Sequence, residues 1–342
     1  MKLSAIDLFA GCGGLTQGLR DAGFAVLGAV ELDRRAASTF AMNHKRTTVF
    51  EADIRTLDPN ALLMRVGLKP GELSLLAGCP PCQGFSRLRT KNGARRSVDS
   101  RNSLVLEFVR FAKVMRPRTL MLENVPQLAN TRVFRELRKQ LSLAGYVDRV
   151  EVLDVAKFGV PQRRLRMIYV ASLDGPIELG TPAAEKVTVY DSIGSLPLAG
   201  SSGDPIHDLP EKRSERVRAI LSALPKDGGS RRSLPDDLKL ACHTRSNGFN
   251  DVYGRMRWND VAPTITSGCT NPSKGRFVHP EFDRAITLRE GAMLQGFPQH
   301  YRFDPTHGKG AIALMIGNAL PPPFIAAHAK TIRRHIHSYG RK

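Results

Sequence analysis

The chain has 342 residues, 42% of them apolar and 24% charged, which excludes a disordered polymer and suits one large domain plus a smaller one. Lys and Arg number 51 against 32 acids, a formal charge of +19. That excess points to a polyanionic partner, because basic side chains on phosphates release counterions, although a basic surface also serves solubility. Five cysteines, an odd number in a chain this long, argue against a disulfide framework and for reduced thiols. The opening Met1–Cys12 loosely mimics a lipoprotein leader, but its apolar run is short and Asp7 interrupts it. No stretch reads as the roughly 18 uncharged apolar residues of a membrane span, so a cytoplasmic location is expected.

In chain order, Leu3–Leu8 reads as a buried strand running into Gly11, Gly13 and Gly14, with a helix over Leu15–Asp21. Ala25–Val30 is a second strand, with Glu31 and Asp33 at its end. A third strand precedes Asp53. Leu73–Ala77 reads as a strand ending in Gly78-Cys79-Pro80-Pro81. Leu104, Phe108, Phe111 and Met115 share helical spacing and predict an amphipathic helix over Asn102–Met115. Arg118–Leu122 is a strand ending at Glu123, followed by a helix over Arg132–Ala144 and strands over Val147–Leu153 and Arg166–Ala171. This rhythm predicts an α/β fold, a doubly wound, mainly parallel sheet with helices on both faces, over residues 1–173. It breaks after Ser172. Residues 174–210 are rich in Gly, Pro and Ser, and Glu211–Arg257 holds eleven basic against six acidic residues with an irregular apolar pattern. Residues 174–284 are therefore expected to form a smaller irregular domain. Helical order returns over Thr287–Gln295 and Pro323–His337, and residues 285–342 are expected to rejoin the large domain.

Doubly wound sheets bind ligands at the carboxyl ends of their strands. The first candidate there is Asp7-Leu8-Phe9-Ala10-Gly11-Cys12-Gly13-Gly14, whose glycines let backbone amides approach a ligand. Glu31 can accept from ribose hydroxyls, and Asp53 from an adenine amino group. Singly, these are a packing turn and solvated carboxylates; on three successive strands they read as a cofactor pocket. The second candidate, Gly78-Cys79-Pro80-Pro81-Cys82-Gln83-Gly84-Phe85-Ser86, offers three readings. Zinc would need four ligands, and no second pair stands at a finger-like spacing. A redox dithiol would precede a helix, whereas basic, turn-rich sequence follows. The third is a nucleophilic thiol held by two prolines, against the plain alternative of two buried structural cysteines. The third and fourth candidates are Glu123-Asn124-Val125 and Gln162-Arg163-Arg164-Leu165-Arg166. Together they bring a thiol, a carboxyl and a guanidinium to one sheet edge.

These segments resemble the DNA cytosine-5 methyltransferase family of the bacterial single-chain type. Asp7–Gly14, Gly78–Ser86, Glu123–Val125, Gln162–Arg166, Arg289-Glu290 with Leu294–Pro298, and Gly317–Pro322 stand in family order. Leu320, where Val is usual, and Gly291, where a larger residue is usual, depart mildly. The resemblance implies a class I, Rossmann-like S-adenosylmethionine-dependent fold with a target-recognition domain. It implies S-adenosylmethionine as methyl donor, S-adenosylhomocysteine as product, and no metal. Phe9, Gly11, Cys12, Gly13, Gly14, Glu31, Leu32, Asp53, Ile54, Pro81 and Asn318 would bind the cofactor. Cys82 would attack C6 of a flipped-out cytosine, Glu123 would bind its N3 and amino group, and Arg164 and Arg166 would hold Glu123 and the base. Gln83, Ser86, Arg87, Arg89, Asn124, Arg245, Arg255 and Arg257 are the expected DNA contacts. The basic run holding Arg87, Arg89, Lys91, Arg95 and Arg96 reads as a lid over the site, or as a loop of solvated charge.

The resemblance further implies a chain acting as a monomer on duplex DNA at the nucleoid, with a cognate restriction endonuclease or another defence component as a possible partner, and no membrane. Two rivals stand beside this reading. One is a tRNA cytosine-5 methyltransferase, whose recognition region typically carries Cys-Phe-Thr; the nearest match here is Cys269-Thr270 after Gly268. The other is a catalytically idle nucleic-acid-binding module, against which Cys82, Glu123 and Arg166 argue.

Overall fold

The structure, a computed structural model, describes residues 3–81, 104–239 and 251–339. The described chain clusters into two compact units. One comprises Met1–Phe158, Leu165–Ala183 and Leu320–Lys342, the other Gly159–Arg164 and Ala184–Ala319.

The first unit is built on a seven-stranded sheet in the order β3-β2-β1-β4-β5-β7-β6. Its strands are β1 (Ser4–Leu8), β2 (Ala25–Glu31), β3 (Thr48–Glu51), β4 (Leu75–Gly78), β5 (Thr119–Asn124), β6 (Val147–Asp154) and β7 (Leu165–Ser172). β7 runs antiparallel to both β5 and β6, and the other pairings are parallel. The helices are α1 (Gly14–Asp21), α2 (Arg34–Asn43), α3 (Pro59–Arg65), α4 (Leu104–Met115), α5 (Arg132–Leu143) and, from the far end of the chain, α10 (Pro322–Tyr339). Alternation along β1 sorts them into two layers. Ile6 and Leu8 join a core with Phe108 and Phe111 of α4 and Phe134 of α5. Asp7 points the other way and accepts from Thr16 of α1 at 2.6 Å. α10 crosses α1 at Gly18, where an added Cβ would lie 2.5 Å from the Pro322 carbonyl oxygen. That closeness requires glycine. It returns residues from 320 onward to the first motif, as expected for the end of the chain.

The second unit holds α6 (Val189–Ile193), α7 (Glu215–Ala223), α8 (Leu288–Leu294) and α9 (Lys309–Asn318). Among its described residues only isolated bridges pair backbone segments. With so little ladder, side chains satisfy the loop carbonyls. Arg255 is fully buried and donates to the carbonyls of His279 (2.8 Å), Phe282 (2.7 Å), Leu221 (3.0 Å) and Leu224 (3.4 Å), and to Asp283 (2.8 Å). Thr287 and Glu290 form a reciprocal cap on α8, and Arg284 pairs with Glu290 at 2.7 Å. Arg289 pairs with Asp204. The Arg289-Glu290 motif is thus a buried framing device. Residues 285–319 cluster with this unit, whereas the sequence placed all of 285–342 with the sheet. The helical pattern of these residues marks them as ordered but does not say which core they join. Lys309–Tyr339 also has the length and composition to cross a bilayer, against the expectation of no such stretch, but it consists of two helices whose apolar residues are mostly buried inside the protein.

Candidate active site

At the end of β1 the chain turns sharply. Phe9 has φ of 63°, a left-handed conformation that costs a non-glycine residue energy and clusters at functional turns. Gly11 follows at φ of 55°, with open space where a side chain would point, so backbone faces outward there. Gly13 caps α1 without a side-chain acceptor, and in the first turn the Thr16 amide and hydroxyl turn to Asp7. Cys12 is buried, and burial pushes its thiol up to about 12, so this position acts through its backbone. Asp7 is pushed up to about 7 by burial, against the hydrogen bond from Thr16.

Glu31, the last residue of β2, accepts from the Gly11 amide at 2.7 Å through Oε2 and from the Asp33 amide at 2.7 Å through Oε1. Burial raises its carboxyl above the ordinary value, opposed by the amides of Asp33, Gly11 and Leu32. Leu32 beside it is 64% exposed, an apolar surface left bare at a strand end. After β3, Asp53 is held at about 2 by the hydrogen-bonding Arg55 guanidinium, whose Nε lies 2.9 and 3.0 Å from its two oxygens. It is an ionised acceptor. Ile54 is buried in the core, and its carbonyl accepts from Arg110 at 2.5 Å.

β5 places Glu123 with 1% exposure, next to the end of β4. Its Oε1 pairs with Arg166 Nε of β7 at 2.8 Å, and its Oε2 accepts from the Cys79 thiol at 3.1 Å. A carboxyl this deeply buried needs such partners. The Cys79 contact is one the sequence could not show: the motif marks a second thiol without saying where it points. Asn124 is buried as well. It donates to the Pro80 carbonyl at 2.8 Å and accepts from the Val125 amide at 2.9 Å. It braces the loop after β4. Pro81 is exposed at the end of that loop.

Arg164 is buried and donates to the carbonyls of Ile265 (2.8 Å) and Gly317 (3.0 Å), all within the second unit, while Arg166 pairs with Glu123. Arg255, expected at DNA, is wholly buried among carbonyls and has no face for a base. Arg257 is exposed, and so is Asn318 at the end of α9. Cys82, Gln83, Ser86, Arg87, Arg89 and Arg245 lie outside the described residues, as does the expected lid.

A buried, arginine-paired carboxylate stands on the same sheet edge as a glycine turn, a ribose-type carboxylate and a bare apolar residue. The profile of C-5 cytosine-specific DNA methylases matches residues 3–334. The chain belongs to that family. It is a DNA cytosine-5 methyltransferase. It is 35% identical to the Type II methylase M.HgiDII of Herpetosiphon aurantiacus, over 97% of this chain and 96% of that protein. Identity to the Type II methyltransferase M1.HphI of Haemophilus parahaemolyticus is 33%, over 97% of this chain and 87% of that one. Among solved structures, Entamoeba histolytica methyltransferase EhMeth superposes with a TM-score of 0.68 at 15% identity, covering 98% of this chain and 99% of that one. At that identity the likeness concerns the fold alone. The family membership gives the sheet of the first unit its class, the α/β fold of S-adenosylmethionine-dependent methyltransferases.

Proposed function

We propose that the chain transfers the methyl group of S-adenosylmethionine to C5 of a cytosine in a specific duplex DNA sequence, through a covalent bond from Cys82 to C6 of the flipped-out base. The observation that carries this reading is Glu123, buried at the end of β5 and held through Oε1 by Arg166. A carboxyl there serves chemistry on a ring nitrogen. C5 of cytosine is a weak nucleophile, and a stacked base is out of reach of any side chain, so flipping comes first at a cost of about a few kcal/mol. Attack of the Cys82 thiolate on C6 pushes electrons onto C5. Glu123 protonates or hydrogen-bonds N3 and neutralises the charge that develops there. Arg166 fixes the Glu123 carboxyl and polarises O2 in the same sense. Once C5 is methylated, its proton passes to a base and Cys82 leaves, restoring the aromatic ring.

The residues at β1 to β3 suit S-adenosylmethionine, which supplies the electrophilic methyl group when bound. The glycine turn over Gly11–Gly14 would let its amino-acid end approach the backbone closely, with Glu31 at its ribose hydroxyls, Leu32 and Ile54 at the adenine faces, and Asp53 at the adenine amino group. Phe9, Pro81 and Asn318 complete the proposed set. Glu31→Ala should raise the Kd for S-adenosylhomocysteine by roughly 10- to 100-fold, the worth of hydrogen bonds to a charged acceptor. Isothermal titration calorimetry reads this directly, and an unchanged Kd would remove Glu31 from the pocket.

The names of the relatives extend the proposal to a modification enzyme of a restriction system, acting at the nucleoid in the cytoplasm, with a cognate endonuclease as partner. Duplex DNA and tRNA offered with labelled S-adenosylmethionine test the substrate. Bisulfite sequencing of DNA from an expressing host then reads the target. Labelling of tRNA alone would overturn the DNA reading. We further propose that residues 174–284 choose the sequence. Replacing them with the matching segment of a family member of known target should move methylation to the donor's sequence. An active chimera that keeps the original target would place specificity in the sheet unit.

A further inference from the structure

The second unit carries two arginines that its own fold does not use. Arg163 and Arg257 line a depression of about 140 Å3 together with Arg276, Asp260, Gly228 and Pro263. Both are exposed, and neither guanidinium has a hydrogen-bond partner among the described residues. Their neighbours differ. Arg276 donates to Asp251 at 3.0 Å and to the carbonyls of Gly228, Gly229 and Arg255. Asp260, the acid on the rim, pairs with Lys186 at 2.9 Å and also lies close enough to feel the Arg163 charge, so one acid stands against three cations there. The surplus charge of the depression therefore belongs to Arg163 and Arg257.

Both arginines sit on fixed backbone. The Arg163 amide donates to the Ala262 carbonyl at 2.9 Å, its carbonyl accepts from Thr264 Oγ1 at 2.7 Å, and the Ala262 amide donates to the Pro161 carbonyl at 2.8 Å. Arg257 lies between buried Arg255 and Trp258, whose amide donates to Asp227 at 2.7 Å and whose ring meets Tyr190 and His279 edge-on. Its side chain lies across Gly228, where an added Cβ would come within 2.4 Å of the Arg257 Nε. Gly228 has φ of 107°, so its bareness serves both the turn and the arginine. The depression is smaller than the roughly 300 Å3 and above of small-molecule pockets and suits a single anionic group.

We propose that Arg163 and Arg257 clamp a backbone phosphate of duplex DNA, giving affinity and register but no sequence choice. This rests on the DNA reading above. Phosphate contacts act alike on every sequence and set the salt dependence of binding, whereas base contacts set the ratio between sequences. The test is fluorescence anisotropy on a mixed-sequence duplex and on one carrying the target read by bisulfite sequencing, each titrated with salt. R163Q/R257Q should bind both duplexes roughly five- to tenfold more weakly, with a log K against log salt slope shallower by about 0.9, one phosphate's worth. R163K/R257K should keep the slope, because charge sets counterion release. K330Q, which removes an exposed charge on α10, should leave the slope alone. Thermal melting checks the fold, and R257Q alone serves if the double variant melts early. An unchanged slope in a folded variant overturns the clamp, and so does a collapse of the ratio between the two duplexes, which would mean base reading. Failure of the wild type to methylate any duplex would sink the DNA reading instead, a separate outcome.

Discussion

Cys82→Ala should lose methyl transfer by on the order of 10⁴-fold or more, a scale that removal of the nucleophile reaches in other covalent enzymes. Binding of S-adenosylhomocysteine and duplex DNA should persist, because the thiol makes the bond to C6 and the affinity resides elsewhere. A second readout isolates the adduct. With 5-fluorocytosine at the target position the wild type should run as a covalent complex on a denaturing gel, since fluorine cannot leave as a proton does. Cys82→Ala should give no such band, while Cys79→Ala should still give one. Cys79 donates to Glu123, so its loss should slow the reaction while leaving the nucleophile in place. Trapping that disappears with Cys79 and survives without Cys82 would reverse the assignment.

Glu123→Gln should lower single-turnover rate by about 10²- to 10⁴-fold, the range of a positioned acid, with cofactor affinity nearly unchanged. Gln keeps the length and shape of Glu. Its amide oxygen can still accept from Arg166, which in the wild type lies 2.8 Å from Oε1. Its amide nitrogen would then face the Cys79 sulfur, a weak acceptor. What the variant loses is the proton for N3. A drop in S-adenosylhomocysteine affinity at unchanged single-turnover rate would assign Glu123 to the cofactor pocket. Since Glu123 is buried, a melting curve must accompany the rates, because a broken buried pair also destabilises.

The sequence by itself determined the succession of elements in the sheet unit and the residue types at its strand ends. Apolar runs ending in Gly11, Glu31, Gly78 and Glu123 mark parallel strands, because such strands are covered on both faces and so are apolar throughout. The observed β1, β2, β4 and β5 end at or within three residues of those positions. Local signals also marked the break after Ser172, where turn residues replace the alternation. Helices Arg34–Asn43, Glu215–Ala223 and Lys309–Asn318 escaped that reading. Their apolar residues are few or not confined to one stripe, and periodicity is the signal that sequence reading uses.

Only the tertiary structure decided what each polar side chain does. Arg164 and Arg166 are indistinguishable as letters. Arg166 lies inside β7 and meets Glu123, whereas Arg164 precedes the strand and turns to the carbonyls of Ile265 and Gly317. Arg255 and Arg257 stand two residues apart in a basic run. One fills the interior of the second unit and the other faces solvent, because an irregular domain has loop carbonyls to satisfy and Arg255 was the donor within reach. The Pro80 carbonyl that Asn124 meets, and the partners of the Cys79 and Arg255 side chains, lie 24 to 44 residues away along the chain, and no local pattern encodes a contact made by folding across that distance.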